Sequence, residues 1–269
     1  MEYWRGRTAL VTGASAGIGA AFAEQLAACG SDLVLTARRV ARLEAIASKL
    51  RKRHGIRVDA IGENLAEDGD AGRLMTAVER LGRPIGVLVN NAGSGVAGPF
   101  AETSWLREQQ MLHLNMLGLV ELTKCILPPM LARQRGDILL VGSVLGYIPA
   151  PLHACYAASK AFVRSFGEAI GGELEGTNVH VLVVNPGRTH TEFFASAGYR
   201  GTGPRRFTMT ADAVVREALR AAAHHQRTCV PGFSNRLIVA TVRVLPIGVR
   251  LRVMKRVQRA AGAHGADVA

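Results

Sequence analysis

Short apolar runs alternate with longer amphipathic segments along almost the whole chain, and no other feature limits the fold as much. The predicted strands are 8–12, 32–36, 56–61, 85–89, 137–142, 178–184 and 227–230. The predicted helices are 17–29, 39–54, 68–82, 103–134 with an internal break, 156–175 and 211–225. Strands and helices that alternate at this spacing form βαβ units with right-handed crossovers. We therefore expect an α/β fold with a doubly wound, mostly parallel seven-stranded sheet and helices on both faces.

The size and composition are those of one large soluble domain. The chain has 269 residues, of which 48% are hydrophobic and 20% are charged. Its four cysteines are widely spaced and predict buried free thiols in a reducing compartment. The first residues lead directly into the first strand, so we expect no signal peptide, and no uninterrupted apolar run reaches membrane-spanning length. These features predict a cytoplasmic location.

The positive charge is concentrated near the C-terminus. The net charge is +12, and residues 200–269 contain 13 Lys or Arg but only three acids. No nucleic-acid motif and no interleaved stacking aromatics accompany these cations, so we expect no nucleic-acid partner. The excess of cations suggests an acidic partner instead, such as a membrane surface.

Residues 237–245 are mostly apolar, and Pro246 separates them from a second amphipathic segment. That segment has Val249, Val253 and Val257 on one helical face. The opposite face carries Arg252, Lys255, Arg256 and Arg259. Residues 236–259 are therefore either a peripheral membrane contact or a helix that covers the pocket or another subunit with its arginines solvated. We divide the chain into a domain at 1–232 and a basic amphipathic extension at 233–269, packed on or flanking that domain.

A glycine-rich turn follows the first strand and opens the first helix. It reads Thr12-Gly13-Ala14-Ser15-Ala16-Gly17-Ile18-Gly19. Its glycines allow a tight turn, a close approach of the backbone to a diphosphate, and close packing of helix on strand. The second strand ends in Ala37-Arg38-Arg39, where a site for NAD needs a carboxylate and a 2'-phosphate needs a guanidinium group. NADP is therefore the inferred cofactor and NAD is disfavoured, although the two arginines could simply begin a solvated helix.

Polar residues also follow the other strands at the carboxyl edge, where the ligands of such a sheet bind. They are Asn90-Asn91-Ala92-Gly93, Ser143 and Asn185-Pro186-Gly187, and Asn115 lies within an apolar helical segment. Tyr156 and Lys160 are four residues apart on a predicted helix, so they share one face. A lysine at about 4 Å could lower the pKa of this tyrosine enough to make it an acid/base, although such a pair can also be an ordinary surface contact.

The connection 188–207, with three glycines, is a candidate lid.

Taken in order, these motifs resemble the short-chain dehydrogenase/reductase family, in its compact single-domain branch, over residues 6–232. The resemblance implies a Rossmann-type fold. It implies that Tyr156 is the general acid/base, that Lys160 lowers its pKa and holds the nicotinamide ribose, that Ser143 binds the substrate oxygen and that Asn115 holds a relay water. The implied cofactor contacts are Gly13, Ser15, Gly17, Ile18, Gly19, Arg38, Arg39, Asn64, Leu65, Asn91, Ala92, Gly93, Tyr156, Lys160, Pro186, Gly187, Thr189 and Thr191.

Three positions depart from the family pattern. Asn64 stands near the usual aspartate for the adenine, Thr189 replaces an aliphatic residue, and Ala16 replaces the basic residue of many NADP-dependent members. Thr191 matches the family threonine that binds the carboxamide.

The expected function is an NADP-dependent oxidoreductase that interconverts a ketone or aldehyde and an alcohol, on an apolar or lipid-like substrate that Phe193, Phe194 and Phe207 would tolerate. The alternatives are a cofactor-binding regulatory or scaffolding protein without turnover, and an epimerase or dehydratase of a related branch. The scattered histidines predict no metal site. The resemblance favours a homodimer or homotetramer.

Overall fold

The computed structural model describes residues 2–198 and 208–260 and contains the predicted alternation of strands and helices. The strands are β1 (Thr8–Thr12), β2 (Asp32–Ala37), β3 (Val58–Gly62), β4 (Ile85–Asn90), β5 (Gly136–Val141), β6 (Val179–Val184) and β7 (Thr228–Cys229). The helices are α1 (Gly17–Ala28), α2 (Val40–His54), α3 (Asp70–Glu79), α4 (Trp105–Leu112), α5 (Gly118–Ala132), α6 (Ala154–Glu173), α7 (Phe193–Ser196), α8 (Ala211–Ala223), α9 (Phe233–Val244) and α10 (Ile247–Ala260). The predicted boundaries differ from these by at most three residues.

The seven strands form one parallel sheet in the order β3-β2-β1-β4-β5-β6-β7. The chain winds outward from β1 to β3 and then crosses back to place β4 on the other side of β1. The strand order therefore reverses between β1 and β4, which opens a crevice at their carboxyl ends. The predicted Rossmann-type, doubly wound sheet is confirmed.

Helices cover both faces of the sheet, which explains why its strands are almost continuously apolar. Helices α1, α2 and α8 pack on one face, where Phe22, Leu43 and Val215 belong to one buried cluster. Helices α3, α5 and α6 pack on the other, where Leu74 and Ile126 belong to a second cluster. The two layers hold the strand ends in fixed positions, so side chains at the carboxyl edge are held by a rigid frame.

The predicted break within 103–134 is a π-helical turn at His113–Leu117, which joins α4 and α5 without a gap. The residue added by this turn brings Asn115 into the interior, where its side chain is fully buried. The helix from Trp105 to Ala132 is long and apolar enough to cross a membrane by length and composition alone. It packs here as a cover of the sheet, since Leu122 and Ile126 lie in the core.

The extension forms two helices, α9 and α10, each of which buries only one narrow face. Helix α9 buries Asn235 and Val239, and α10 buries Met254 and Gln258. Met254 packs with Ile148, in the segment that follows β5. The extension therefore rests on the same body as the sheet, while the predicted division at residue 232 stays a prediction.

Candidate active site

The glycine-rich turn lies in the crevice between β1 and β4. Gly13 and Gly17 have φ values of +66° and +55°, which favour glycine. A methyl group at Gly19 would collide with the carbonyl oxygen of Gly13, so the first helical turn lies directly on the loop. Ala16 at the N-cap of α1 provides no side-chain acceptor for the free amides of this helix. The turn thus presents helix N–H groups to an anion, and it fits the diphosphate of a dinucleotide.

Thr12 connects this turn to the end of β4. Its hydroxyl oxygen accepts hydrogen bonds from the backbone N–H groups of Asn91 at 2.9 Å and Ala92 at 2.8 Å. The Asn91 side chain donates in return to the Thr12 carbonyl oxygen at 2.8 Å. The predicted motifs at 12–19 and 90–93 are therefore one hydrogen-bonded unit at the switch point of the sheet.

Asn115 binds the backbone of the segment that follows Gly93. Its side-chain oxygen accepts from the Ser94 N–H, and its side-chain nitrogen donates to the Ser94 carbonyl oxygen, both at 3.0 Å. The same nitrogen donates to the Ser159 hydroxyl at 3.0 Å. The buried amide thus finds its partners in α6 and in the strand end, so it joins the helix that carries Tyr156 to the crevice.

Tyr156 and Lys160 lie in the first turns of α6, on one face, as the spacing predicts. They are only 8% and 5% exposed. The Lys160 Nζ lies 5.8 Å from the centre of the Tyr156 ring and donates to the Val141 carbonyl oxygen at 2.9 Å. A methyl group at Gly93 would lie 3.5 Å from this Nζ. The pair is therefore buried in the crevice and is not an ordinary surface contact.

Burial governs the protonation of both groups. It raises the pKa of the Tyr156 phenol to about 12, against the opposite effect of a hydrogen bond with Ser143. It lowers the pKa of the Lys160 ammonium to about 8. The net shift of the Tyr156 pKa is upward because desolvation dominates, while the Lys160 ammonium donates to the Val141 carbonyl oxygen, and the predicted effect of Lys160 on the tyrosinate stays a prediction. At neutral pH the phenol is protonated, which is the form that donates a proton.

Ser143 lies at the end of β5, next to Tyr156. Its hydroxyl oxygen accepts from the Leu145 N–H at 3.1 Å and caps a short 3₁₀ turn at Val144–Tyr147. The Val144 N–H donates to the Pro186 carbonyl oxygen at 3.0 Å, so the ends of β5 and β6 are held together. Ser143 is thereby fixed with its hydroxyl at the phenol.

The two arginines after β2 differ in their contacts. The Arg38 side chain is exposed, whereas Arg39 donates to the Ser15 hydroxyl through Nε at 3.3 Å and Nη2 at 3.2 Å. Arg39 and Arg42 also form ion pairs with Glu192, at 2.8 and 2.7 Å. Hydrogen bonds from Arg42 and Arg39 lower the pKa of this carboxyl. Arg42 was not predicted, although its place one helical turn after Arg39 could have indicated it.

The segment after β6 lies against three parts of the site in succession. A methyl group at Gly17 would lie 2.8 Å from the Thr191 side chain. Glu192 binds the arginines, and the Phe193 ring lies 5.4 Å from that of Tyr156. The Ala97 N–H donates to the Ala197 carbonyl oxygen at 3.0 Å, which fixes the end of α7. We refer to residues 191–193 as the cover strip.

The other predicted cofactor residues lie nearby with local partners. Thr189 is buried and donates to the Gly187 carbonyl oxygen at 3.1 Å. Asn64 is half-buried and donates to Glu67 at 3.3 Å, and Leu65 is buried. Of the candidate lid, Gly201, Gly203 and Phe207 lie outside the described residues.

An apolar groove of about 530 Å³ runs along α6 but is separate from the catalytic pair. It is lined by Ala154, Ala157 and Ala161, which face away from Tyr156 on the helix, and by Leu251 of α10. No group of three His, Cys, Asp or Glu side chains that could hold a metal ion occurs within 2–198 and 208–260.

Residues 7–199, more than half of the chain, match the short chain dehydrogenase family. The chain belongs to this family. As a short-chain dehydrogenase with a dinucleotide turn, it is an NAD(P)-dependent oxidoreductase. The contacts of Glu192 with the arginines and of Phe193 with Tyr156 join residues far apart in the chain, and the motifs give no signal for them.

Its relatives include proteins named very-long-chain 3-oxoacyl-CoA reductase. The very-long-chain 3-oxoacyl-CoA reductase of Phaeosphaeria nodorum is 36% identical over 186 residues, which are 67% of this chain and 54% of the relative. The dehydrogenase thus matches about half the length of that protein. The protein of the same name from Aspergillus clavatus is 28% identical over 282 aligned positions, covering 96% of this chain and 80% of the relative.

Solved structures of similar fold cover nearly the whole chain. One, from work on 7beta-hydroxysteroid dehydrogenase stereoselectivity, has a TM-score of 0.83 and 25% identity over 93% of this chain and 97% of that one. The short-chain dehydrogenase from Sphingobium yanoikuyae in complex with NADPH has a TM-score of 0.80 and 30% identity over 93% and 95%. A Burkholderia phymatum family member in complex with NAD has a TM-score of 0.79 and 25% identity over 91% and 94%. Both cofactors therefore occur among its structural relatives.

Proposed function

We propose that this short-chain dehydrogenase uses NADP to interconvert a ketone or aldehyde and an alcohol on an apolar, lipid-like substrate. The observation that carries the chemistry is the buried pair of Tyr156 and Lys160 next to Ser143 at the carboxyl edge of the sheet. A protonated phenol in a desolvated site, with a hydroxyl group beside it, is suited to protonate a carbonyl oxygen that gains negative charge.

The proposed reduction divides the work between cofactor and protein. A nicotinamide cofactor, when bound at the glycine-rich turn, would supply the hydride for the carbonyl carbon. Tyr156 donates its proton to the carbonyl oxygen, and Ser143 donates a hydrogen bond to the same oxygen. The Lys160 ammonium stabilises the tyrosinate that remains, which regains its proton from water. Asn115 holds the elements around Lys160 in place and, by the family resemblance, the water of that relay. Oxidation of the alcohol reverses each step.

The catalytic proposal is tested with a Tyr156→Phe variant. We expect NADPH oxidation with reducible ketones to fall by about 100-fold to 10,000-fold, because the proton donor is lost, while NADPH affinity is retained. Tyr147→Phe is the matched control, since this hydroxyl accepts from Asn185 at 3.3 Å outside the catalytic pair. Undiminished turnover in Tyr156→Phe contradicts the mechanism. NADPH binding without turnover on any substrate favours a regulatory or scaffolding protein.

An apolar substrate is supported by the surroundings of Tyr156. Val96, Met111 and Phe193 form an apolar cluster with its ring. The names of the fungal relatives point in the same direction. We expect kcat/KM for 3-oxoacyl thioesters to rise with acyl length, because each buried methylene adds about 0.8 kcal/mol. A panel that spans short and long chains measures this, and a flat series argues against a lipid-like substrate.

The preference for NADP rests on the positive charge after β2 and on Ala37, where a carboxylate is missing. Arg39 contacts the glycine-rich turn through Ser15, and this contact supports a role for its guanidinium group in binding a 2'-phosphate. We expect Arg39→Ala to weaken NADPH binding by about 10-fold to 150-fold, from loss of a charged hydrogen bond, and to leave NADH binding unchanged. Lys52→Ala, at the far end of α2, is the control. NADH affinity equal to or above that of NADPH contradicts the assignment.

Assembly into a homodimer or homotetramer and a cytoplasmic location stay predictions. Size-exclusion chromatography with light scattering measures the first.

A further inference from the structure

Most of the large apolar side chains that are exposed in the described part of the chain belong to its last two helices. Nine of fourteen such residues lie there. They are Phe233, Leu237, Ile238, Val244, Ile247, Val249, Leu251, Val253 and Val257. Single exposed apolar residues are ordinary on protein surfaces, but a contiguous group of this size marks an interaction surface.

The exposed residues form stripes on faces that the fold leaves uncovered. On α9, Phe233, Leu237 and Val244 project away from the buried Val239 and are 76%, 57% and 81% exposed. On α10, the valines at 249, 253 and 257 recur every fourth residue and are also exposed, because Met254 and Gln258 provide the buried face. The valine face predicted from the sequence is therefore not the face that packs on the domain.

Positive charge accompanies these stripes, and the two helices contain no acid of their own. Residues 233–260 contain seven cations, and no Asp or Glu occurs between residues 218 and 266. The exposed group Arg252, Lys255, Arg256 and Arg259 lies on α10 between its buried face and its valine stripe. The two helices thus present apolar and cationic side chains on one part of the surface.

We propose that α9 and α10 dock on an anionic phospholipid bilayer. The apolar stripes suit the acyl boundary of a bilayer and the cations suit its phosphate groups. A nucleic acid offers no surface that is complementary to exposed leucine and valine at such density. A second copy of this surface would bring seven cations against seven, which opposes symmetric pairing. An anionic bilayer matches both properties.

The docking surface is connected to the candidate active site. The Arg243 guanidinium lies 5.0 Å from the centre of the Tyr147 ring, four residues after Ser143. Met254 packs with Ile148 and with Ala157 of α6, next to Tyr156 in sequence. Asn235 lies against Gly187, where a methyl group would collide with it. Docking therefore places the bilayer beside the elements that carry the site. The inference that the bilayer supplies an apolar substrate rests on the proposed function. The inference of the docking surface does not rest on it.

The test is vesicle co-sedimentation of the full chain with two lipid compositions. One is phosphatidylcholine alone, and the other is an equal mixture of phosphatidylcholine and phosphatidylglycerol. The charge variant carries Gln at Arg252, Lys255, Arg256 and Arg259, and its control carries Gln at the exposed Lys49, Lys52, Arg80 and Arg135. The apolar variant carries Ser at Leu237, Val244 and Val253, which are exposed, so the fold does not depend on them. Circular dichroism verifies each variant.

We expect the wild type to bind the mixed vesicles and to bind phosphatidylcholine far more weakly. The charge variant should lose on the order of several hundredfold in partitioning, and its control should match the wild type. The apolar variant should lose on the order of tenfold or more. Added salt should release the wild type from the mixed vesicles, and this test requires no substitution.

Three results overturn the proposal. The first is no binding of the wild type to mixed vesicles. The second is an apolar variant that binds the mixed vesicles as tightly as the wild type does, together with a wild type that binds duplex DNA as tightly as the mixed vesicles. This result indicates a general polyanion site. The third is a wild-type oligomer that is lost in the apolar variant, as measured by sedimentation velocity. This result places a second copy of the chain on the surface. The measurement needs no turnover, so a failed carbonyl assay leaves its outcome unaffected.

Discussion

Replacing Lys160 by Met should change the pH dependence of stability in a defined direction. Burial lowers the pKa of this lysine from 10.5 to about 8 in the folded chain. Between these two values the unfolded chain binds a proton that the folded chain does not, so the free energy of unfolding rises with pH. Over the whole interval the rise is about 3 kcal/mol, at 1.36 kcal/mol for each unit of pKa. Below about pH 8 the folded protein carries this penalty in full.

The Met variant lacks the ionisable group, so its free energy of unfolding should lack this rise. It also loses the hydrogen bond to the Val141 carbonyl oxygen, at about 1–2 kcal/mol, and the part of that bond that depends on the charge of Lys160 is already contained in its pKa. The difference between wild type and variant, measured as a function of pH, therefore isolates the buried charge.

Urea unfolding followed by the fluorescence of the buried Trp4 measures the difference in the absence of cofactor. The series should extend from neutral pH to about pH 10, below the pKa of Tyr156 at about 12. Lys52→Met removes a lysine from an exposed position and is the matched control. A difference between wild type and Lys160→Met that stays flat, or that falls as pH rises, refutes the argument that desolvation sets the charge of Lys160.

Three further predictions follow from single contacts. Gly19→Ala should abolish NADPH binding in a fluorescence titration, because the added methyl group collides with the Gly13 carbonyl oxygen and displaces the turn. Arg7→Met should lower the free energy of unfolding by about 3–5 kcal/mol in a urea titration, since it removes the counter-charge of the buried Asp137 at 2.5 Å and leaves this carboxylate only the hydrogen bonds from the Tyr3 hydroxyl. The rate of carbonyl reduction, measured as kcat/KM against pH, should fall above about pH 8, where Lys160 loses the charge that stabilises the tyrosinate.

Matched variants make these outcomes specific. Gly172→Ala adds a methyl group to α6 where nothing lies within 4 Å, so it should leave NADPH binding intact. Arg57→Met breaks an exposed pair with Asp32 and should change stability by less than about 1 kcal/mol. Equal effects in a variant and its control contradict the corresponding prediction. So does a pH profile that stays level above pH 8.

The sequence predicts the frame and the motif positions well because both depend on local pattern. The alternation of apolar and amphipathic segments determines the sheet, and the residues after β1, β4, β5 and β6 share its carboxyl edge by topology. The pKa shift of Tyr156 could not be predicted in the same way, because its sign depends on burial by distant segments. The spacing predicts that Lys160 is on the same face but not that its ammonium is directed to Val141.

Contacts between distant segments account for most of the remainder. In the sequence Glu192 is a single acid in a loop, and only the fold brings it into contact with Arg39 and Arg42. Likewise, the periodicity of α10 shows a valine face and a basic face, whereas the face that packs is set by where Met254 meets Ile148. The π-helical turn at Asn115 is a shift of a single residue, which a helical period cannot resolve.

The cover strip has a consequence for how the cofactor and the substrate influence each other's binding. Its three consecutive residues contact the glycine-rich turn, the arginines and the ring of Tyr156, so movement at one end pulls on the others. A substrate that displaces Phe193 also loosens Glu192 from the arginines, and a ligand that takes those arginines from Glu192 frees Phe193. We therefore expect positive coupling, in which the dinucleotide and the substrate each raise the affinity for the other by the same factor. Binding titrations of each ligand with and without the other measure this factor, and Glu192→Gln should reduce it.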